Sequence, residues 1–141
     1  MEIKIFDKLP VYAVEIRMQV FVKEQGFSKD LELDENEKSA THIVGFVDGH
    51  HAATARFFFD NKRDAYLISR IAVMKEYRSK GLGAEIVTAA ENEIIKQGGK
   101  VAVIHAQLRV KGFYESLGYT SYGDIDLEEG VEHIMMKKEF E

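Results

Sequence analysis

The stretch Arg78-Ser79-Lys80-Gly81-Leu82-Gly83-Ala84 constrains this chain more than any other. It follows an apolar run over residues 67–73 and opens a helical pattern over residues 82–96. A strand, a glycine-bearing turn and a helix start, in that order, set the unpaired first-turn N–H groups of a helix beside the end of a strand. The helix dipole adds partial positive charge there. Gly81 and Gly83 remove Cβ atoms that would hold a phosphate off the backbone. The segment predicts an α/β domain with a cradle for a phosphorylated ligand, in particular a pyrophosphate. Two glycines at a helix start are also ordinary turn chemistry, so the surrounding elements must carry the argument further.

Residues 3–6 read as a first strand. Pro10 suits the first turn of a helix, and Val11, Val14, Met18, Phe21 and Val22 recur at helical spacing after it. Residues 23–40 are polar, acidic and long for a loop. A meander follows, with strands at 41–47, 52–59 and 65–73, the first two joined at Asp48-Gly49. The helix from Leu82 has Leu82, Ile86, Val87, Ala90, Ile94 and Ile95 on its core face, and Gly98-Gly99 ends it. A strand at 101–105, a helix at 108–117 and strands at 118–122 and 131–137 complete the order β-α-β-β-β-α-β-α-β-β. This is a mixed α/β (α+β) arrangement around one central sheet, read as a single domain over residues 1–141.

Composition removes several classes of function. A net charge of −5 leaves no basic footprint for nucleic acid. No apolar run approaches the roughly 20 residues of a membrane span, and residues 1–6 lack a signal-peptide pattern. The expectation is a cytoplasmic protein with neither membrane nor nucleic-acid partner. The absence of cysteine excludes disulfides, thiolate zinc sites and a cysteine nucleophile. The adjacent His50-His51 pair faces opposite ways on a strand, so no metal is expected.

Ile71-Ala72-Val73 followed by Tyr77-Arg78-Ser79-Lys80-Gly81-Leu82-Gly83-Ala84 resembles the acyl-CoA signature of the GNAT-type N-acetyltransferases. Phe113-Tyr114-Glu115-Ser116-Leu117-Gly118-Tyr119 is similar to that family's second signature. The segment 17–25, then Glu32, Asp34 and His42, then Ala106-Gln107 and residues 129–136, resembles the ElaA-like bacterial subgroup. Lys75 and Glu132 stand where many relatives have proline, and Gln107 where many have asparagine. No glutamate precedes the cradle at Ser69-Arg70, where some relatives keep a general base. The resemblance implies a mostly antiparallel sheet splayed between the fourth and fifth strands, with the cofactor arm in the gap.

It also implies acetyl transfer from acetyl-CoA, as co-substrate, directly to a primary amine of a small molecule or peptide. The backbone amides from Ser79 to Ala84 would hold the pyrophosphate, with Arg78 or Lys80 adding charge. Ile71, Ala72 and Val73 would pair with the amide-rich arm as an added strand, and Gln107 and Phe113 would complete the cofactor contacts. Tyr114 is the candidate general acid, since a phenol is protonated at neutral pH. Glu24 and His105 lead the candidate bases, with Glu32, Asp34, His42 and His133 also open, and water could take the proton without a dedicated base. If the acidic loop with Asp30, Glu32, Asp34, Glu35 and Glu37 lined the acceptor pocket, it would favour a cationic amine. The alternative is a non-catalytic acyl-CoA-binding or sensing module on the same fold. Monomer and homodimer both remain open.

Overall fold

A computed structural model describes residues 1–29 and 33–141. Its strands are β1 (Glu2–Phe6), β2 (Thr41–Val47), β3 (His50–Asp60), β4 (Ala65–Val73), β5 (Val101–Gln107), β6 (Thr120–Glu128) and β7 (Val131–Glu139). They form one sheet in the order β1-β2-β3-β4-β5-β7-β6. Neighbours are antiparallel except β4 and β5, which run parallel. Among the described residues the α-helices are α1 (Val11–Arg17), α2 (Leu82–Lys96) and α3 (Lys111–Ser116). The element order is the expected one. Among the described residues no helix is long and apolar enough to cross a membrane.

Strand alternation divides the core between the two faces of the sheet. Ile43, Ala53, Ala55 and Phe57 pack with Ile86, Val87, Ala90 and Ile94 of α2. Val44, Phe46 and Ala72 pack with Ala13, Ile16 and Val20 on the other face. Burial on both sides explains why β2 and β3 read as nearly continuous apolar runs.

The buried face of the first helix differs from the expected one. Ala13, Ile16, Arg17 and Val20 face inward, while Val11 is exposed. After one regular stretch the backbone widens into a π-helical turn, Met18–Glu24. The Gln25 N–H reaches the Val20 carbonyl at 3.2 Å, five residues back. Ala13, Ile16, Arg17 and Val20 keep ordinary helical spacing, and Arg17 joins that buried face because Glu37 meets its charge at 2.6 Å.

Two pairing features open the sheet where function was expected. β4 and β5 share a register only at Tyr66↔Ala102, Leu67↔Val103 and Ile68↔Ile104. Immediately beyond, β4 carries an extra residue against β3, because Thr54 pairs with Ala72 but Arg56 pairs with Ser69. Arg70 sits in that bulge with φ of 52°, a left-handed conformation that costs a non-glycine residue about 1–2 kcal/mol. A bulge bends and twists its strand. β4 therefore leaves with β3, while β5 stays paired with β7 along its full length. The two halves of the sheet part after Ile68 and Ile104.

Candidate functional site

The parting produces an open cleft of about 990 Å³. One wall is β4 from Leu67 to Val73, with Ile71 and Ala72 among its lining residues. The other is β5 from Ile104 to Gln107. The π-helical turn contributes Val20, Phe21 and Glu24, and α3 contributes Phe113 and Tyr114. Beyond Ile68 the edge of β4 has no β5 partner, which leaves main-chain groups available to an extended ligand.

A second hollow, of about 250 Å³, adjoins it at the start of α2. Val73, Tyr77, Arg78, Ser79, Gly81, Leu82, Gly83, Ala84 and Phe113 line it. Gly81 caps the helix with φ of 79°, so a side chain there would strain the backbone rather than clash. Gly83 is small for a different reason. A Cβ would stand 3.2 Å from Cζ of Phe113, so this glycine admits the phenyl ring that joins the two hollows. The first helical hydrogen bond runs from the Glu85 N–H to the Gly81 carbonyl, and the N–H groups of Leu82, Gly83 and Ala84 remain outside the helical ladder. Lys80 stands beside this turn with its ammonium 5.9 Å from the Tyr77 ring.

Arg78 and Glu24 meet instead of serving separately. The guanidinium binds both Glu24 carboxylate oxygens, at 2.8 and 2.7 Å, and its Nε donates to the Val73 carbonyl at 3.0 Å. Arg78, expected on the phosphate, thus ties the cradle to β4 and to the π-helical turn. Glu24, expected as a base, is held in a bidentate ion pair. Gln107 also works as a tie: its amide donates to Gln25 Oε1 at 2.8 Å and accepts from Arg109 Nε at 3.0 Å.

Tyr114 is 7% exposed, and burial pushes its phenol up to about 12. Its ring meets Phe113 edge-on at 5.0 Å and Tyr119 at 6.3 Å. Tyr119 is the other phenol of the motif, but its hydroxyl donates to Glu91 at 2.7 Å. Burial first, and then the Glu91 carboxylate, raise its pKa further. Lys138 neutralises Glu91 from 3.2 Å and donates to the Leu117 carbonyl at 2.8 Å. Tyr119, Glu91 and Lys138 therefore anchor the end of α3, while Tyr114 faces the cleft with its proton retained.

On the opposite side of the cleft stands a charged cluster. Arg56, 3% exposed, grips Asp34 through both terminal nitrogens at 2.7 and 2.8 Å, reaches Glu37 at 3.0 Å and donates to Ser69 Oγ at 2.9 Å. Arg17 binds Glu37 at 2.6 Å and Arg70 reaches Asp34 at 3.3 Å. Burial alone would raise the Asp34 pKa, but the hydrogen bonds and charge of Arg56, aided by Arg70, bring it down to about 2. Asp34 also caps the short 3-10 helix Glu35–Lys38 in a reciprocal box with Glu37. The loop carboxylates Asp34 and Glu37 are therefore committed to arginines, which removes them as the expected attraction for a cationic acceptor. His42 is buried, donates to the Glu37 carbonyl at 3.2 Å and is held below its usual pKa, chiefly by desolvation. Asp30 and Glu32 lie outside the described residues.

His105 ends in the cleft, as expected, but with neighbours the sequence did not indicate. Its Nε2 donates to Asp126 at 2.8 Å, and its ring lies 4.7 Å from that of His133. Asp126 and Glu128 arrive from β6, which extends well past the expected end at Tyr122. A register irregularity between Tyr122 and Asp126 turns that strand. No local pattern in the sequence marks those two acids.

Residues 11–140 match the acetyltransferase (GNAT) domain family. The chain is 33% identical over 126 residues to the uncharacterized N-acetyltransferase YjcF of Bacillus subtilis, covering 88% of each protein. The fold matches that of Escherichia coli ElaA with a TM-score of 0.85, 24% identity and coverage of 98% of this chain and 99% of that one. It also matches an aminoglycoside 6'-N-acetyltransferase solved with coenzyme A, with a TM-score of 0.78, 16% identity and coverage of 99% and 97%.

Proposed function

The chain belongs to the GNAT acetyltransferase family, and on that premise we propose that it passes the acetyl group of acetyl-CoA directly to a primary amine of a small molecule or peptide. The observation that carries this reading is the continuity of the two hollows. The glycine turn at the start of α2, the stretch of β4 beyond its register with β5 and the Tyr114 phenol lie along one channel. The pyrophosphate meets the amides of Ser79 to Ala84 with Lys80 beside them. The arm pairs with β4 at Ile71 and Ala72, and Phe113 covers the junction.

In the transfer, the amine nitrogen attacks the thioester carbonyl carbon and the C–S bond breaks. Tyr114 donates its proton to the departing sulfur. The proton released by the amine passes towards His105, whose Nδ1 is the ring nitrogen not engaged by Asp126. Glu24 is the weaker candidate for that role because Arg78 holds both of its oxygens.

The direct test measures thiol release from acetyl-CoA across a panel of amines. Release with at least one amine supports the reading; tight CoA binding without release across the panel points to a sensing module. The residues can be separated in the same assay. His105→Ala lowers turnover by about 100-fold while calorimetric acetyl-CoA affinity is retained. Gly81→Ala does the converse: the strained turn relaxes in the free chain and acetyl-CoA must restore it, which weakens binding by up to about tenfold.

A further inference from the structure

His105, His133 and Glu128 come from β5, β7 and β6 to one place at the mouth of the cleft. The pairing explains the meeting. His133 lies opposite Gln107 on β5 and opposite Asp126 on β6, while His105 lies opposite Met135. Residues opposite one another share a face, so the two histidines are diagonal neighbours, with the β6 acids beside them.

Their hydrogen bonds fix which ring nitrogen carries the proton. His133 Nδ1 lies 2.7 Å from the Val131 carbonyl, which only accepts. His105 Nε2 lies 2.8 Å from Asp126 Oδ1, also an acceptor. Each ring therefore donates through that nitrogen, and its neutral form presents a lone pair on the other. The lone pairs are on His133 Nε2 and His105 Nδ1. Both look towards Glu128 Oε2, at 3.4 and 3.8 Å. These gaps exceed the 2.7–2.9 Å typical of a charge-assisted hydrogen bond. Three acceptor atoms thus lie within 4.8 Å of one another, with room for a cation to bridge them.

We propose that His105, His133 and Glu128 form a site for one divalent transition-metal ion of the zinc class. Two imidazole nitrogens and one carboxylate oxygen are a donor set suited to such an ion. The outer hydrogen bonds to Asp126 and to the Val131 carbonyl are of the kind that orient metal-bound histidines. Three protein ligands leave a fourth position open towards the cleft, as in zinc sites that also bind water or substrate. The ion occupies the His105 lone pair, so it opposes the proposed transfer; this consequence alone rests on that reading.

The test titrates Co²⁺ into the tag-free full chain, without acetyl-CoA or an amine, and follows the visible absorption of low-coordinate Co²⁺, with Zn²⁺ as competitor. The expected result is saturation at one ion per chain and displacement by Zn²⁺. His133→Ala and Glu128→Gln each weaken binding by at least about tenfold, and Asp126→Asn by about 10–100-fold. His51→Ala, at a histidine paired with Glu15, leaves it unchanged. His133 is buried, so Glu128→Gln, at an exposed side chain, decides the matter if the histidine variant does not fold. Absence of saturable binding, indifference to Glu128→Gln, or loss on His51→Ala overturns the proposal. Since the readout involves no transfer, its failure is distinct from failure of the acetyltransferase reading.

Discussion

Tyr114→Phe lowers turnover by about 10²–10⁴-fold, the usual contribution of a positioned acid, and leaves acetyl-CoA affinity within about twofold. The change removes one oxygen from a ring that otherwise packs through its edge and face, so the cleft keeps its shape. The neighbouring phenol cannot substitute, because Tyr119 directs its hydroxyl at Glu91. The raised pKa of Tyr114, about 12, also carries a pH signature: an alkaline fall in turnover caused by ionisation of this phenol lies near that value, above the ordinary range for tyrosine. Steady-state rates with saturating acetyl-CoA, paired with calorimetric binding, check the prediction. Full turnover in the phenylalanine variant removes Tyr114 from the acid role.

Arg56→Met is the largest expected change in stability. It retains much of the apolar stem but deletes the charge that Asp34 and Glu37 share. Removing one partner of a buried ion pair costs about 3–5 kcal/mol. Arg70 still serves Asp34 and Arg17 still serves Glu37, which sets the expectation at about 3 kcal/mol, or a fall of about 10 °C in Tm. The linkage has a definite sign. The Asp34 pKa is depressed in the folded chain, so its stabilisation is fully present above the unfolded value of 3.8 and is lost as pH falls towards about 2. With solvent screening, its size is on the order of 1–2 kcal/mol. His42 acts in the same direction at higher pH: its lowered pKa makes folding resist protonation as pH falls below 6.5. Urea unfolding from neutral to acid pH therefore shows declining stability in the native chain. In Arg56→Met the slope below about pH 4 flattens, because less depression remains to be lost. An unchanged acid slope refutes the assignment to Asp34.

The arginine cluster also explains why a substrate could not be read from the acidic loop. A run of carboxylates in sequence is an unpaired charge only until the fold brings it cations, and here Arg56 and Arg70 come from β3 and β4. The same limit applied to Glu24. Glu24 lines the cleft, but its pairing with Arg78 joins residues 54 apart in the chain. The buried face of α1 was misread because it includes a charged residue, Arg17, whose partner Glu37 lies 20 residues away in the chain.

What the sequence determined by itself was whatever depends on neighbours along the chain. The apolar runs, Asp48-Gly49 and the glycine turn from Arg78 to Ala84 specify strands, a hairpin and a helix start through backbone preferences that act over a few residues. The bounds of β2, β4 and α2 follow directly from them, as does the order of the elements. Only the tertiary structure decided how those pieces meet. The bulge at Arg70 parts β4 from β5, Phe113 comes to rest against Gly83, and β6 brings Asp126 and Glu128 to His105 and His133. Strand register and sheet pairing are long-range choices, won by packing on two faces at once. The glycine turn was therefore visible in a single heptapeptide, while the cluster of His105, His133, Asp126 and Glu128 exists only where β5, β6 and β7 meet.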